Sequence, residues 1–263
     1  MKKPLLPVKF FFFSLFLLSC QGYKTATNLF LKSDQIRIDD MILEKSFIQH
    51  IRNDDAINTQ AAGSYGVYGS QPWKKGIMPV AFSSTITQIQ KDWFIKVAQK
   101  WSIATGVSII NRTNQPEYLN VVNRENGCFS EVGSRAGEIR TLNLGPRCWV
   151  EPTTLHEIGH ALGLMHEHQR PDRNSYISID LNNADPAIHY AFELFSTMNN
   201  ATAYDFNSIM HYEQYAFSNN HKPTIIVLPK YSAFQNTIGI KKISELDRKA
   251  IAIMYAKTIA GNK

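Results

Sequence analysis

Residues 156–167 read HEIGHALGLMHE, and the reading of the whole 263-residue chain turns on this stretch. Helix signals frame its first half: Pro152 suits a first helical turn, and Gly163 permits a stop that a residue with a Cβ resists. On a helix from Pro152 to Gly163, His156 and His160 are four residues apart, so both imidazoles project from one face. The turn at Gly163 then brings His166 back toward them. Three neutral imidazoles with one coordination position left over are the donor set of a catalytic zinc ion. Glu157 lies beside that open position, where a carboxylate can take a proton from water acidified by the metal. The bland alternative is a helix with surface histidines and Glu157 as capping partner of Thr154. The extended spacing weighs against it, since chance produces such a string in roughly one protein in a hundred thousand.

A second segment agrees with the first. Residues 204–212 read YDFNSIMHY, with Met210 forty-four positions after His166. A methionine in a tight turn beyond an extended HExxH is the mark of the metzincin peptidases, in which it forms an apolar floor under the zinc ligands.

Composition sets the frame. Hydrophobic residues make up 44% and charged residues 19%, which excludes a disordered chain. Lys2, Lys3 and Lys9 precede an apolar run from Phe10 to Leu18, too short to span a bilayer. Residues 1–19 therefore read as an export signal. The run ends in Leu17-Leu18-Ser19-Cys20, which resembles a bacterial lipobox, making Cys20 the lipidated first residue of an exported, membrane-anchored protein; an ordinary secretory signal leaves Cys20 without that role. Removing those three lysines takes the formal net charge from +6 to +3. That weak, scattered charge gives no reason to expect a nucleic-acid partner. Besides Cys20 the chain has Cys128 and Cys148, able to pair in an oxidising compartment or to stay as two buried thiols.

Organisation follows from the periodicities. Residues 20–63 are polar, end in Ala61-Ala62-Gly63 and read as a tether or pro-segment, leaving 64–263 as the catalytic domain. Ile77–Phe82 reads as a strand near an edge because of Pro79. A helix follows, with Thr87 and Gln90 at capping-box spacing, a buried stripe of Ile89, Trp93, Val97, Trp101 and Ala104, and a stop at Gly106. Tyr118–Val122 and Ile139–Leu144 read as strands, with a loop carrying Cys128 between them. A last helix over Ser244–Tyr255 buries Leu246, Ile251 and Met254. The fold class is α+β.

The string HEIGHALGLMHEHQRPDR resembles the signature of the astacin family of zinc metallopeptidases, matching through Arg170, Asp172 and Arg173. The resemblance covers residues 73–256 and implies a two-lobed zincin-like domain with a twisted mixed sheet, a zinc-bearing helix, a Met-turn and a C-terminal helix. It implies an endopeptidase acting on extended protein or peptide substrates, with one zinc ion on His156, His160 and His166. Tyr212, in SIMHY, becomes a fifth ligand that swings away to stabilise the transition state. Glu167 becomes the group reached by the new N-terminus when an activating protease removes the pro-segment, a cut that falls near Ser64. Cys128 and Cys148 become a disulfide, and Tyr118–Val122 the edge strand that pairs with substrate. In the pro-segment, Asp39-Asp40-Met41-Ile42 resembles the family's latency switch, with Asp40 in the open zinc position; Asp39 stands where the family has glycine, and a solvated acidic pair is the other reading. Gly106 stands where the family has a first disulfide. Two readings from other classes remain: a degenerate relative that binds without cleaving, and a lipoprotein whose zinc is purely structural.

Overall fold

In a computed structural model of the chain, the described residues are 31–32, 34–45, 71–196, 198, 200–239 and 241–260. The readings of residues 1–19, Cys20 and Ser64 lie outside them. A seven-stranded sheet organises the first half. Its strands are β1 (Gln35–Ile38), β2 (Met41–Glu44), β3 (Ile77–Phe82), β4 (Ser108–Asn111), β5 (Tyr118–Val122), β6 (Cys128–Glu131) and β7 (Ile139–Leu144). They lie in the order β1-β2-β6-β7-β5-β3-β4. From β7 through β5 and β3 to β4 every pairing is parallel, β6 runs antiparallel to β7, and β2 joins β6 in parallel.

This order corrects one expectation about edges and agrees with the placing of Ile77–Phe82 near one. Tyr118–Val122 is no edge strand: β3 and β7 bond it on both sides. Within residues 71–260 the strand at this rim is β6, inside the stretch read as a loop, and its outer side is taken by β2. Pro79 sits one strand in from the rim, opposite Ile110 of β4.

Helix α1 (Gln88–Thr105) begins with the expected capping box of Thr87 and Gln90 and ends on Gly106, which is left-handed at φ 78°. Its buried face is Phe94, Val97, Ala98 and Trp101, whereas Ile89 is 82% exposed. The stripe is therefore rotated toward Phe94, which meets Phe82 edge-on. Helix α2 (Glu151–Leu162) carries the first two histidines and stops at Gly163, at φ 111°. Two tryptophans hold it: Trp101 Nε1 donates to Leu155 O (2.9 Å) and Trp73 Nε1 to Ala161 O (2.8 Å). Helix α3 (Glu245–Ala260) closes the domain; the Tyr255 hydroxyl donates to Leu162 O, one of the free carbonyls at the end of α2.

The chain builds two principal cores. The first joins the sheet to all three helices through Val80, Leu119, Leu142, Trp101, Ile158 and Ile251. The second lies within residues 177–238, where regular structure is limited to short 3-10 turns and a two-stranded ladder of Ile177–Ile179 and Ile225–Val227. Stacked aromatics hold it instead: Tyr176 on Tyr204 at 4.5 Å and Phe206 on Phe234 at 4.6 Å. A smaller cluster buries Ile38, Met41 and Leu43 of the β1–β2 hairpin against Val132, Met165 and Phe195. Cys128 and Cys148 form a disulfide. Among the described residues no helix is long and apolar enough to cross a membrane.

Candidate metal centre and cleft

α2 positions His156 and His160, the stop at Gly163 returns the chain, and His166 completes the set. The three Nε2 atoms face one another: His156 is 3.1 Å from His160 and 3.2 Å from His166. Each Nδ1 has its own acceptor, namely Ile209 O (2.7 Å), Leu164 O (2.8 Å) and Gln169 Oε1 (3.1 Å). Those contacts place the ring proton on Nδ1 and leave the Nε2 lone pairs converging on one point. Tetrahedral zinc with ligands at about 2.0–2.1 Å separates its donors by about 3.3 Å, so the spacing fits the ion.

The fourth corner is held by Asp40, in the turn between β1 and β2. Its carboxylate oxygens approach His166 (3.0 Å), His156 (3.1 Å) and His160 (3.5 Å), and the four side chains form a group able to hold a metal. Burial opposes charge on Asp40, but His166 and His156 hold it well below the ordinary carboxylate range. Asp40 Oδ1 and Glu157 Oε2 are buried without a hydrogen-bond partner, as expected beside a cation. Glu157 is 1% exposed. Burial, then the charges of Asp40 and Asp39, push its carboxyl well above the ordinary range.

The turn at 208–210 is clamped from α3. Ser208 Oγ (2.6 Å) and Ile209 N (3.0 Å) donate to the buried Asp247 carboxylate. Met210 lies in the first core and Tyr212 in the second, so this turn ties the two together. The Tyr212 hydroxyl donates to Asp39 Oδ2. Burial, then Asp40, raise the Asp39 carboxyl to about 6. Asp39 has φ 55°, the left-handed conformation that glycine adopts without cost. Glu167 accepts from Arg170 Nη1 (2.8 Å) and Asp205 N (2.7 Å), and burial raises it to about 8.

Two neighbours of the site were not evident from the sequence. His168 looks like ordinary variation in the motif, yet its ring stacks on Tyr212 at 3.8 Å and 26°. Burial, then His166, hold it neutral, well below the usual histidine range. Asp39 looks like a departure from the switch pattern but lies within reach of Tyr212; its place beside Asp40 was the one available signal.

Residues 67–256 match the family model described as Astacin, a peptidase family. The chain belongs to the astacin family. Among curated relatives it is similar to "Zinc metalloproteinase nas-5" of Caenorhabditis elegans, 33% identical over 187 residues, covering 68% of this chain and 51% of that protein. It is similar to "Bone morphogenetic protein 1" of Xenopus laevis, 35% identical over 162 residues, covering 60% and 23%. The chain thus spans about half of the first relative and about a quarter of the second. Among solved structures, "High choriolytic enzyme 1", a hatching enzyme zinc-protease of Oryzias latipes, aligns with TM-score 0.64 and 30% identity over 71% of this chain and 94% of that one. "Structure of myroilysin" shares the fold at TM-score 0.52 and 22% identity. Residues 67–256 are an astacin peptidase domain, and its cofactor is one zinc ion.

Proposed function

We propose that the chain is a zinc endopeptidase for extended protein substrates, kept latent by its own residues 20–63. One observation carries this reading: three Nε2 atoms and the Glu157 carboxylate converge where Asp40 enters from the β1–β2 hairpin, beside the rim strand β6. Zinc on His156, His160 and His166 supplies Lewis acidity and lowers the pKa of the attacking water. Glu157 takes that water's proton and passes it to the leaving amine. Tyr212, once released by Asp39, donates to the oxyanion that develops at the scissile carbonyl. Met210 supports the histidines from below. Substrate adds as a strand to the side of β6 that β2 now covers.

Latency has two contacts in this reading, Asp40 at the metal and Asp39 on Tyr212. A cut near Ser64 by an activating protease removes both and creates a new α-amino group for Glu167. The signal at 1–19 exports the chain, and lipid on Cys20 holds it to the cell envelope until the cut frees the catalytic domain. Active, full-length enzyme in the membrane fraction would sink the anchor-and-release part.

The test uses the full chain with zinc, assayed on an unfolded protein before and after limited proteolysis. Cleavage should appear only after the cut, vanish with a chelator, and be absent in Glu157→Ala. Asp40→Ala should lift latency only in part, giving faint activity before the cut that rises to the full rate once β2 leaves β6. A processed, zinc-loaded protein that cleaves nothing across a broad substrate set refutes the reading.

A further inference from the structure

Arg37 of β1 crosses to the rim of the catalytic part. Its guanidinium lies 4.2 Å over the centre of the Phe129 ring, and its Nη1 is 3.5 Å from Glu125 Oε2. Arg37 Nε donates to Asp39 O (2.7 Å), so this arginine is tied to the turn that carries Asp40. Both charged side chains are largely covered, Arg37 at 21% exposure and Glu125 at 17%.

The receiving surface is built by the catalytic part alone. Asn143, fully buried on β7, accepts from Arg124 N (2.9 Å) and Glu125 N (3.4 Å) and donates to Glu125 O (3.2 Å) and Gly127 O (2.8 Å). One side chain therefore fixes the backbone from 124 to 127. Gly145 lets that turn come close: a Cβ there would lie 2.6 Å from Glu125 O. The disulfide ties Cys128, next in line, to Cys148. Glu125 is thus a carboxylate on a rigid turn beside the face of an aromatic residue on the substrate edge. An aromatic face with an adjacent carboxylate is a receptor for a cationic side chain.

We propose that Phe129 and Glu125 form a substrate subsite selecting a lysine or arginine close to the cleaved bond, and that Arg37 fills it in the uncut chain. The inference rests on the peptidase reading above and adds its substrate class. Arg37 arrives from β1 rather than along β6, so only its head group stands in for the substrate side chain. An extended substrate on β6 presents alternate side chains to this face.

The test takes the full chain, zinc-loaded and activated by limited proteolysis. One lysine is walked through the positions flanking the cleaved bond of a neutral peptide, against the same peptides with norleucine, which keeps the chain length and removes the charge. At one position lysine should raise kcat/KM about tenfold over norleucine, equivalent to about 1.4 kcal/mol. Glu125→Gln should bring that ratio near one, and Glu125→Lys should turn it below one. A lysine-to-norleucine ratio that ignores residue 125 overturns the subsite and leaves the peptidase standing. Failure of the wild-type enzyme to cleave any peptide overturns both.

Discussion

Gly145→Ala tests how rigidly the turn behind the cleft is packed. The added Cβ would stand 2.6 Å from Glu125 O, 2.8 Å from Gly127 N and 3.0 Å from Gly127 O. All three are backbone atoms, so no side chain can rotate away. To restore ordinary contact the turn must retreat by about 0.8 Å, against Asn143 on one side and the disulfide beyond it. Overpacking of this kind costs about 1–3 kcal/mol. Weakening the Gly145 N to Gly127 O bond, now 3.0 Å, adds about 1 kcal/mol. The alanine returns about 0.4–1 kcal/mol by stiffening the unfolded chain. The net is a loss of about 2 kcal/mol, read as a fall of about 1 M in the urea midpoint at fixed zinc and pH. The same retreat carries Glu125 out of place and lowers the lysine preference. A Gly145→Ala protein as stable as wild type, with its preference intact, would show that the turn yields freely and that this rigidity argument fails.

Three further outcomes follow from other parts of the molecule. His211 donates from Nδ1 to Tyr212 O and accepts from Tyr204 at Nε2, and burial lowers its pKa to about 4. A depressed histidine contributes stability that is full above its unfolded value of 6.5 and is lost as pH falls toward 4. Between pH 7 and 5 wild type should therefore lose about 2 kcal/mol more than His211→Gln in parallel unfolding curves; equal slopes would reject it. Cys128→Ser with Cys148→Ser opens a loop with separation 20 and should cost about 3 kcal/mol by the same assay. His168→Leu leaves Tyr212 without its stacked neighbour; kcat should fall about tenfold with KM little changed, whereas a parallel rise in KM would make His168 a substrate-binding residue instead.

The zinc helix was legible because its signals are local: Pro152 opens it, the i, i+4 histidines share a face, and Gly163 ends it. The C-terminal helix was legible for the same reason, and Ser244 and Asp247 do exchange capping bonds. Which strand lies at the rim was not legible, since an edge is a property of strand order. The β-branched YLNVV of β5 reads as a strand while the CFSE of β6 reads as loop, and only the strand order, with β7 between them, makes β6 the edge. The second core escaped periodicity because stacked rings set far apart in sequence hold it. Ile89 misled because its helical spacing fits the stripe while the face that packs is the one bearing Phe94, which leaves Ile89 exposed. The β1–β2 hairpin was hidden in a polar segment. Four residues per strand give too short a pattern, and its order comes from what it docks on.

That dependence explains why a single cut would suffice for activation. A two-stranded hairpin is marginal by itself in water. This one is held by burial of Ile38, Met41 and Leu43, by two backbone pairings with β6, and by the polar contacts of Gln35, Arg37, Asp39 and Asp40. While the chain is continuous those contacts form at an effective concentration on the order of millimolar, so even weak docking keeps the cleft filled. Once the chain is cut between the hairpin and the catalytic part, the same contacts must form from solution at the concentration of the enzyme itself. Rebinding must also repeat the ordering of the hairpin each time, at about 1–2 kcal/mol per residue fixed. Under the proposed reading the contacts need not be individually weak for release to occur. They need only be collectively weaker than what separates a tethered segment from a free one, and a subsite that prefers a basic substrate to Arg37 then completes the exchange.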